Sequence, residues 1–274
     1  MPSVSPPTDW DQQARLATLA ALRQHDDLAR DYVLKGGLVL QHVYGSPRVS
    51  EDIDLNHAEA HPNELSEANT QTLQTVCDRL NETVAWTARD VGLSGAGLRI
   101  LTWSDLLPTV FAEVWYRADP KDEASVEGAV EVQITLCERV CHSVLARIGG
   151  VPVLAPTLDD LVADKLKVLL QQRRRHKVRH SDVYDLWFAL EKAPFVPDPA
   201  TVRDALLVKL ESWPEYLPLA ASAFRQEAVR TFAEQGYRSL RAEQPDLPFA
   251  PFDVVWASVQ AFVDAMDLPE DVPA

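Results

Sequence analysis

The stretch Leu34-Lys-Gly-Gly-Leu-Val-Leu-Gln-His-Val-Tyr-Gly-Ser-Pro-Arg-Val-Ser-Glu-Asp-Ile-Asp-Leu55 holds an adjacent glycine pair and, with fourteen residues between, two carboxylates one residue apart. In a β-strand the alternation Asp52, Ile53, Asp54, Leu55 sends both acids to one face and both apolar side chains to the other. Two neighbouring carboxylates repel each other unless a hard divalent cation sits between them, and Mg²⁺ favours a few carboxylate oxygens completed by substrate phosphates. Upstream, Tyr32-Val-Leu34 reads as a short strand, after which Gly36 and Gly37 let backbone N–H groups approach a phosphate with no Cβ in the way. Leu38 to Tyr44 then reads as a helix with its N-terminus towards that anion. Each half also has a plainer reading: a glycine pair after a strand is an ordinary turn, and Asp-x-Asp is a solvated pair at a loop.

More than a hundred residues later a second region carries unusual charges. Leu158, Leu161, Val162, Leu166 and Leu169 form an apolar stripe at helical spacing, and Lys165 falls inside it. A lysine there either snorkels its ammonium to solvent or serves a phosphate beside carboxylates. The following helix, about Asp182 to Leu190, is apolar nearly all round, with Asp182 and Asp185 about 60° apart in its remaining sector. Buried acids need partners, so the pair either helps to shape a polar cleft or binds nearby arginines, with Asp182 also placed to cap the helix. A two-metal site wants a third carboxylate on an adjacent strand. Ala129 to Leu136 alternates well and offers Glu131, and Glu113 in the strand-like Thr109 to Trp115 competes with it; a solvent-facing strand glutamate is the alternative for either.

Taken with their neighbours, these residues carry a resemblance. Lys35-Gly-Gly37 followed by Arg48-x-Ser50-x-Asp52-Ile-Asp54-Leu55 resembles the first motif of the AbiEii/AbiGii toxins, a branch of the polymerase-beta-like nucleotidyltransferase superfamily. Asp164-Lys165-Leu166, Arg173 to Arg175 and Asp182-Val-Tyr-Asp185-Leu-Trp187 resemble that family's lysine helix and Asp-x-x-Asp helix, in the same order. His180-Ser181 stands between Arg179 and Asp182, where many members have Arg directly before Asp. The resemblance spans most of residues 30 to 190 and implies a metal-dependent nucleotidyltransferase. Asp52 and Asp54 would hold Mg²⁺ or Mn²⁺ with Glu131 as third ligand. Lys35, Gly36, Gly37, Arg48, Ser50 and Lys165 would bind the NTP, and Asp182 and Asp185 would join the catalytic set. It further implies a toxin with a separately encoded antitoxin, and a tRNA end is one acceptor reported in the family. Two rival readings are a protein-modifying nucleotidyltransferase and a catalytically silent nucleotide-binding or interaction domain.

The remaining composition narrows the setting. With 26 basic and 41 acidic residues among 274, the formal charge of −15 argues against broad, nonspecific nucleic-acid binding. Charge is uneven, however: Lys165 to Arg179 holds seven basic residues and no acid, leaving 19 basic residues to face all 41 acids. That block, with Arg48, is where an RNA backbone would be expected to run, unless it is only the solvated C-terminal end of a helix. Three cysteines are consistent with reduced thiols, and Cys137-x3-Cys141-His142 lacks the spacing of a zinc site. No apolar run approaches a membrane span and no signal-type segment opens the chain, so the expected location is cytoplasmic.

The fold expected is α/β (α+β): a small mixed sheet of nucleotidyltransferase type flanked by helices, then a C-terminal helical bundle. A nucleotidyltransferase-like domain over 1–155 would be followed by a helical domain over 156–274 that contributes Lys165 and the Asp182/Asp185 helix to the cleft. In detail, helices are expected over 10–30, 64–83, 200–212, 219–236 and 251–266. Strands are expected over 84–87, 99–103, 109–116 and 129–136, with Gly92 to Gly97 a turn.

Overall fold

The computed structural model describes residues 9–62, 64–119, 124–175 and 178–271. In chain order its N-terminal elements are α1 (Trp10–Arg23), α2 (Asp26–Asp31), β1 (Tyr32–Lys35), α3 (Gly37–His42), β2 (Ile53–His57) and α4 (Glu67–Asp90). Strands β3 (Gly95–Trp103), β4 (Thr109–Ala118), β5 (Val126–Thr135), β6 (Ser143–Ile148) and β7 (Val151–Pro156) follow. Helices α5 (Leu158–Arg175), α6 (Asp182–Glu191), α7 (Pro199–Leu210), α8 (Glu227–Glu243) and α9 (Phe252–Ala265) close the chain, with 3-10 turns at Pro214–Tyr216 and Ala221–Arg225. The result is a mixed α/β fold.

Two compact units emerge. The first holds the chain up to Leu34, Glu51–Cys137 and Leu145–Leu154; the second holds Lys35–Ser50, Glu138–Val144 and the chain from Ala155 onward. The first is built on a seven-stranded sheet in the order β3-β4-β5-β2-β1-β7-β6. Its β3, β4 and β5 are antiparallel, whereas β2 pairs with β5 and β1 with β7 in parallel. Alternation decides the faces: Val110, Ala112, Val114 and Tyr116 of β4 are buried with Val130, Val132 and Ile134 of β5, on the side where α1 packs. The sheet is larger than expected because β6 and β7 join it. Their signal is the pair Gly149-Gly150, both at positive φ (54° and 87°), between β-branched runs, a two-residue turn only glycine adopts easily.

Four local expectations are corrected. Gly95 to Gly97, expected in a turn, already belong to β3, where they pair with Arg117 to Trp115, so the strand expected over 99–103 begins at Gly95. The helix expected over 10–30 is two helices: α1 ends at Arg23, His25 is extended (φ −116°), and Asp26 and Asp27 open α2, where its dipole favours acids. Residues 84–87 are not a strand but lie inside α4. The β-branched residues there suit the helix because the Thr87 hydroxyl donates to the Ala17 carbonyl of α1 (2.9 Å) and Val84 is fully buried, so packing overrides strand propensity. The helix expected over 219–236 begins later, because the N–H groups of Ala221 and Ser222 donate to the carbonyls of Pro269 and Glu270 and Gln226 is extended.

The second unit is a helical bundle in which α5 packs on α6, α7 and α8, and α6 packs on α8 and α9. Among the described residues, no helix is long and apolar enough to cross a membrane.

Candidate active site

In the first unit, β2 behaves as its alternation predicts. Ile53 and Leu55 are buried at 0% and 1% exposure, Asp54 is half-buried, and Asp52 is exposed one residue before the strand begins. The parallel register places Asp54 beside Gln133 and Ile53 beside Val132, so Glu131 lies on the Asp54 face one register step earlier. Glu131 in turn stands opposite Glu113, and Glu113 is ion-paired with Arg99 of β3. Between the two candidate glutamates, Glu113 is thus already neutralised, and Glu131 is exposed.

Among the described residues no three His, Cys, Asp or Glu side chains gather as a protein-only metal cage. Asp54 on β2 and Asp52 just before it would suit Mg²⁺, which keeps its waters and takes substrate phosphates.

In the second unit, the lysine and aspartate helices meet through charge. Lys165 of α5 donates to Asp182 Oδ1 and Asp185 Oδ2 of α6, both at 2.7 Å. Asp185 also accepts a two-pronged contact from Arg48, Nε to Oδ1 at 2.7 Å and Nη2 to Oδ2 at 3.0 Å. Arg179 Nε lies 3.4 Å from the other carboxylate oxygen of Asp182, Oδ2. Asp182 and Asp185 are 1% and 0% exposed and Lys165 only 12%, so these are strong, charge-assisted contacts shielded from water. Burial opposes each charge, yet the opposite charges win. Asp182 is held below the usual carboxylate range, chiefly by Lys165, and Lys165 is held above the usual lysine value by Asp182 and Asp185.

The glycine pair is shaped by the same contacts. Gly36 adopts φ +76°, a left-handed conformation open to glycine. A Cβ on Gly37 would run into the Arg48 guanidinium and the Ser50 hydroxyl, so its missing side chain makes room for this packing. Ser50 N–H donates to Gln41 Oε1 of α3 (3.0 Å), tying the segment down.

Lys35 belongs to a different cluster, one that sequence reasoning missed. It is ion-paired with Glu138, which lies 3.6 Å from Lys167 Nζ; Lys167 reaches Asp164 (3.2 Å), and Lys209 reaches both Asp164 (3.2 Å) and Asp160 (2.9 Å). Asp160 Oδ1 also accepts from the backbone N–H groups of Cys141 (2.7 Å) and His142 (3.2 Å), so the cluster anchors the 138–144 segment. Burial opposes both acids here, but the lysines prevail: Asp164 falls to about 2 and Glu138 well below its ordinary value. The available signal was a charged stripe on α5, Asp160, Asp164 and Lys167 at i, i+4 and i+7 beside the apolar one.

These pairings also reinterpret the basic block. Arg48, Lys165 and Lys167 are engaged with carboxylates inside the unit, while the side chains of Arg173 to Arg175 and all of His176 and Lys177 lie outside the described residues.

Residues 18–265 match the sequence profile of a family described as nucleotidyl transferase AbiEii toxin, type IV toxin–antitoxin system. No curated protein matches the chain significantly. Among solved structures, the crystal structure of JHP933 from Helicobacter pylori is similar over 96% of this chain and 93% of that one, with a TM-score of 0.50 at 13% identity, a likeness of fold alone. An antigenic nucleotidyltransferase-like protein from Paracoccidioides brasiliensis aligns over 81% of this chain and 95% of that one, at 16% identity and a TM-score of 0.39, too distant to bear on the site.

Proposed function

Because the chain belongs to the AbiEii family of nucleotidyl transferase toxins, whose type IV systems pair a toxin with a separate antitoxin, we propose that it moves a nucleoside monophosphate from an NTP to an RNA end, with tRNA the leading acceptor. The acceptor hydroxyl attacks the α-phosphate in line; the new O–P bond forms as the bond to pyrophosphate breaks. Asp52 and Asp54 would hold Mg²⁺ or Mn²⁺, with Glu131 available on the Asp54 face. When bound, the cation supplies charge neutralisation at the phosphate oxygens.

The observation that carries this reading is Asp54 facing outward from a strand whose alternate residues, Ile53 and Leu55, are buried, with the exposed Asp52 just before it. Lys165 has a third ammonium N–H beyond the two given to Asp182 and Asp185, and in this reading it serves the triphosphate and offsets charge on the departing pyrophosphate. Asp182 and Asp185 act through Lys165, as groups that fix its direction. Gly36, with its left-handed backbone, and Ser50 would line the phosphates, while Lys35 and Arg48 support the segment from within.

The test is direct. Purified protein is incubated with each α-labelled NTP, Mg²⁺ and total cellular RNA. Label is expected on RNA with the wild type and not with Asp54→Ala. Label on protein instead would move the acceptor to a side-chain hydroxyl. No label with any NTP, and no difference between wild type and Asp54→Ala, would sink the catalytic reading.

A further inference from the structure

The sheet face that carries Asp54 continues across β5 and β4 into a row that phosphate transfer itself does not use. Opposite the buried side of β4, Phe111, Glu113, Trp115 and Arg117 project outward, and the two rings are 38% and 43% exposed. Register links them to the aspartate: Asp54 pairs with Gln133, and Gln133 with Phe111. Phe111 therefore stands two strands from Asp54, roughly 10 Å, and Trp115 follows about 14 Å further along β4.

Trp115 is laid flat. It faces Gly97 of β3, and a Cβ there would lie 2.8 Å from the indole Nε1 and 3.0 Å from two ring carbons; at Gly95 it would lie 3.6 Å from the far edge of the ring. Two glycines thus floor the indole, with one π-face against backbone and the other towards solvent. Arg99 and Arg117, whose side chains are 66% and 53% exposed, lie on the same face to either side of it. Each arginine has an acid of its own: Arg99 pairs with Glu113 between the rings, and Arg117 with Asp119 (3.2 Å) past the end of β4. All four groups except Glu113 stay partly open to solvent, so the guanidinium groups keep donors facing outward; Glu127, Glu131 and Asp54 lie further off on β5 and β2.

We propose that this face is a stacking platform for single-stranded RNA, on which unpaired nucleotides of the acceptor lie against Phe111 and Trp115 while their phosphates follow the arginine side. The proposal rests on the RNA-acceptor reading above. Flat exposed rings bordered by guanidinium groups match how unpaired bases are held without a fixed sequence. A protein is the competing occupant, since Leu101 of β3 is also exposed near Phe111; Glu113 and Arg99 between the two rings favour RNA, whose stacked bases need separate flat rings and not one continuous apolar surface.

The full-length protein is tested for binding to an unstructured RNA of about a dozen nucleotides, and for the RNA dependence of transfer, as wild type, Trp115→Ala, Phe111→Ala, Trp115→Phe and Arg117→Gln. Each alanine variant is expected to weaken RNA binding about tenfold and raise the KM for RNA similarly, with affinity for the NTP, measured separately, held. Trp115→Phe keeps a π-face and is expected within about threefold of wild type. Arg117→Gln is expected to reduce the salt dependence of binding by about one unit of slope. If Trp115→Ala fails to fold because the indole only shields its glycines, Phe111→Ala and Arg117→Gln still decide. RNA binding and KM unchanged in both would overturn the platform and leave nucleotidyl transfer standing, including the case in which the face receives a protein. Label carried by protein and never RNA in the wild type would overturn the RNA reading and the platform together.

Discussion

Asp54 and Asp185 are both acids picked out by pattern, and the structure separates them by what surrounds each. Asp54 is half-buried and outward-facing, so its removal leaves the fold intact: Asp54→Ala is expected to change the urea midpoint little while lowering transfer by about a thousandfold, read with labelled NTP. Asp185 is fully buried and neutralises Arg48 and Lys165 at once. Asp185→Ala would leave the buried Arg48 without its carboxylate and Lys165 with Asp182 alone, and a loss of about 3–5 kcal/mol in unfolding free energy is expected from denaturant titration. A loss under about 1 kcal/mol would show that solvent reaches the cluster. Lys165 was legible as an oddity, a cation in an apolar stripe. Its partners were not, because Asp182 and Asp185 lie on another helix and Arg48 lies 137 residues from the aspartate it grips.

Elements were legible wherever one periodicity ruled and lost where contacts between elements competed with propensity. The alternating strands β4 and β5 and the stripe of α5 appear close to where their patterns put them. Residues 84–87 look like a strand by composition, yet the Thr87 hydroxyl finds a carbonyl on α1 and keeps the segment helical. Gly236 in α8 is another case, since a Cβ there would run into the Arg179 carbonyl, which lets the chain before α6 press against the helix. Gly236→Ala, which helix propensity alone would score as stabilising, is expected to cost about 1–3 kcal/mol by overpacking. A raised Tm for that variant would show that the Arg179 segment yields freely.

Stability as a function of pH is a property of the whole chain, and the buried ion clusters set its limits. Asp182, Asp164 and Glu138 have folded-state pKa values below their unfolded ones, so their contribution is complete above about pH 4 to 5 and is lost as pH falls through the folded values, about 2 for Asp164. Lys165 and Lys209 are raised, so theirs is complete below the ordinary lysine value near 10.5 and is lost as pH climbs through the higher folded values. Urea midpoints followed by circular dichroism are expected to hold level between those limits, apart from ordinary surface effects, and to drop on the acid side between about pH 4 and 2. Asp164→Asn should flatten that acid drop, and an unchanged acid profile would refute the cluster's role. By itself the sequence determined the strand and helix periodicities, including the alternation that buries Ile53 and Leu55 and leaves Asp54 facing outward, because each depends on residues a few positions apart. Only the tertiary structure decided which charge answers which, drawing Lys35 to Glu138 across 103 residues and binding Lys167 and Lys209 into the same cluster. The physical reason is that a buried charge is stable only beside its counter-charge, and in this chain the counter-charges come from segments that folding, not sequence distance, brings together.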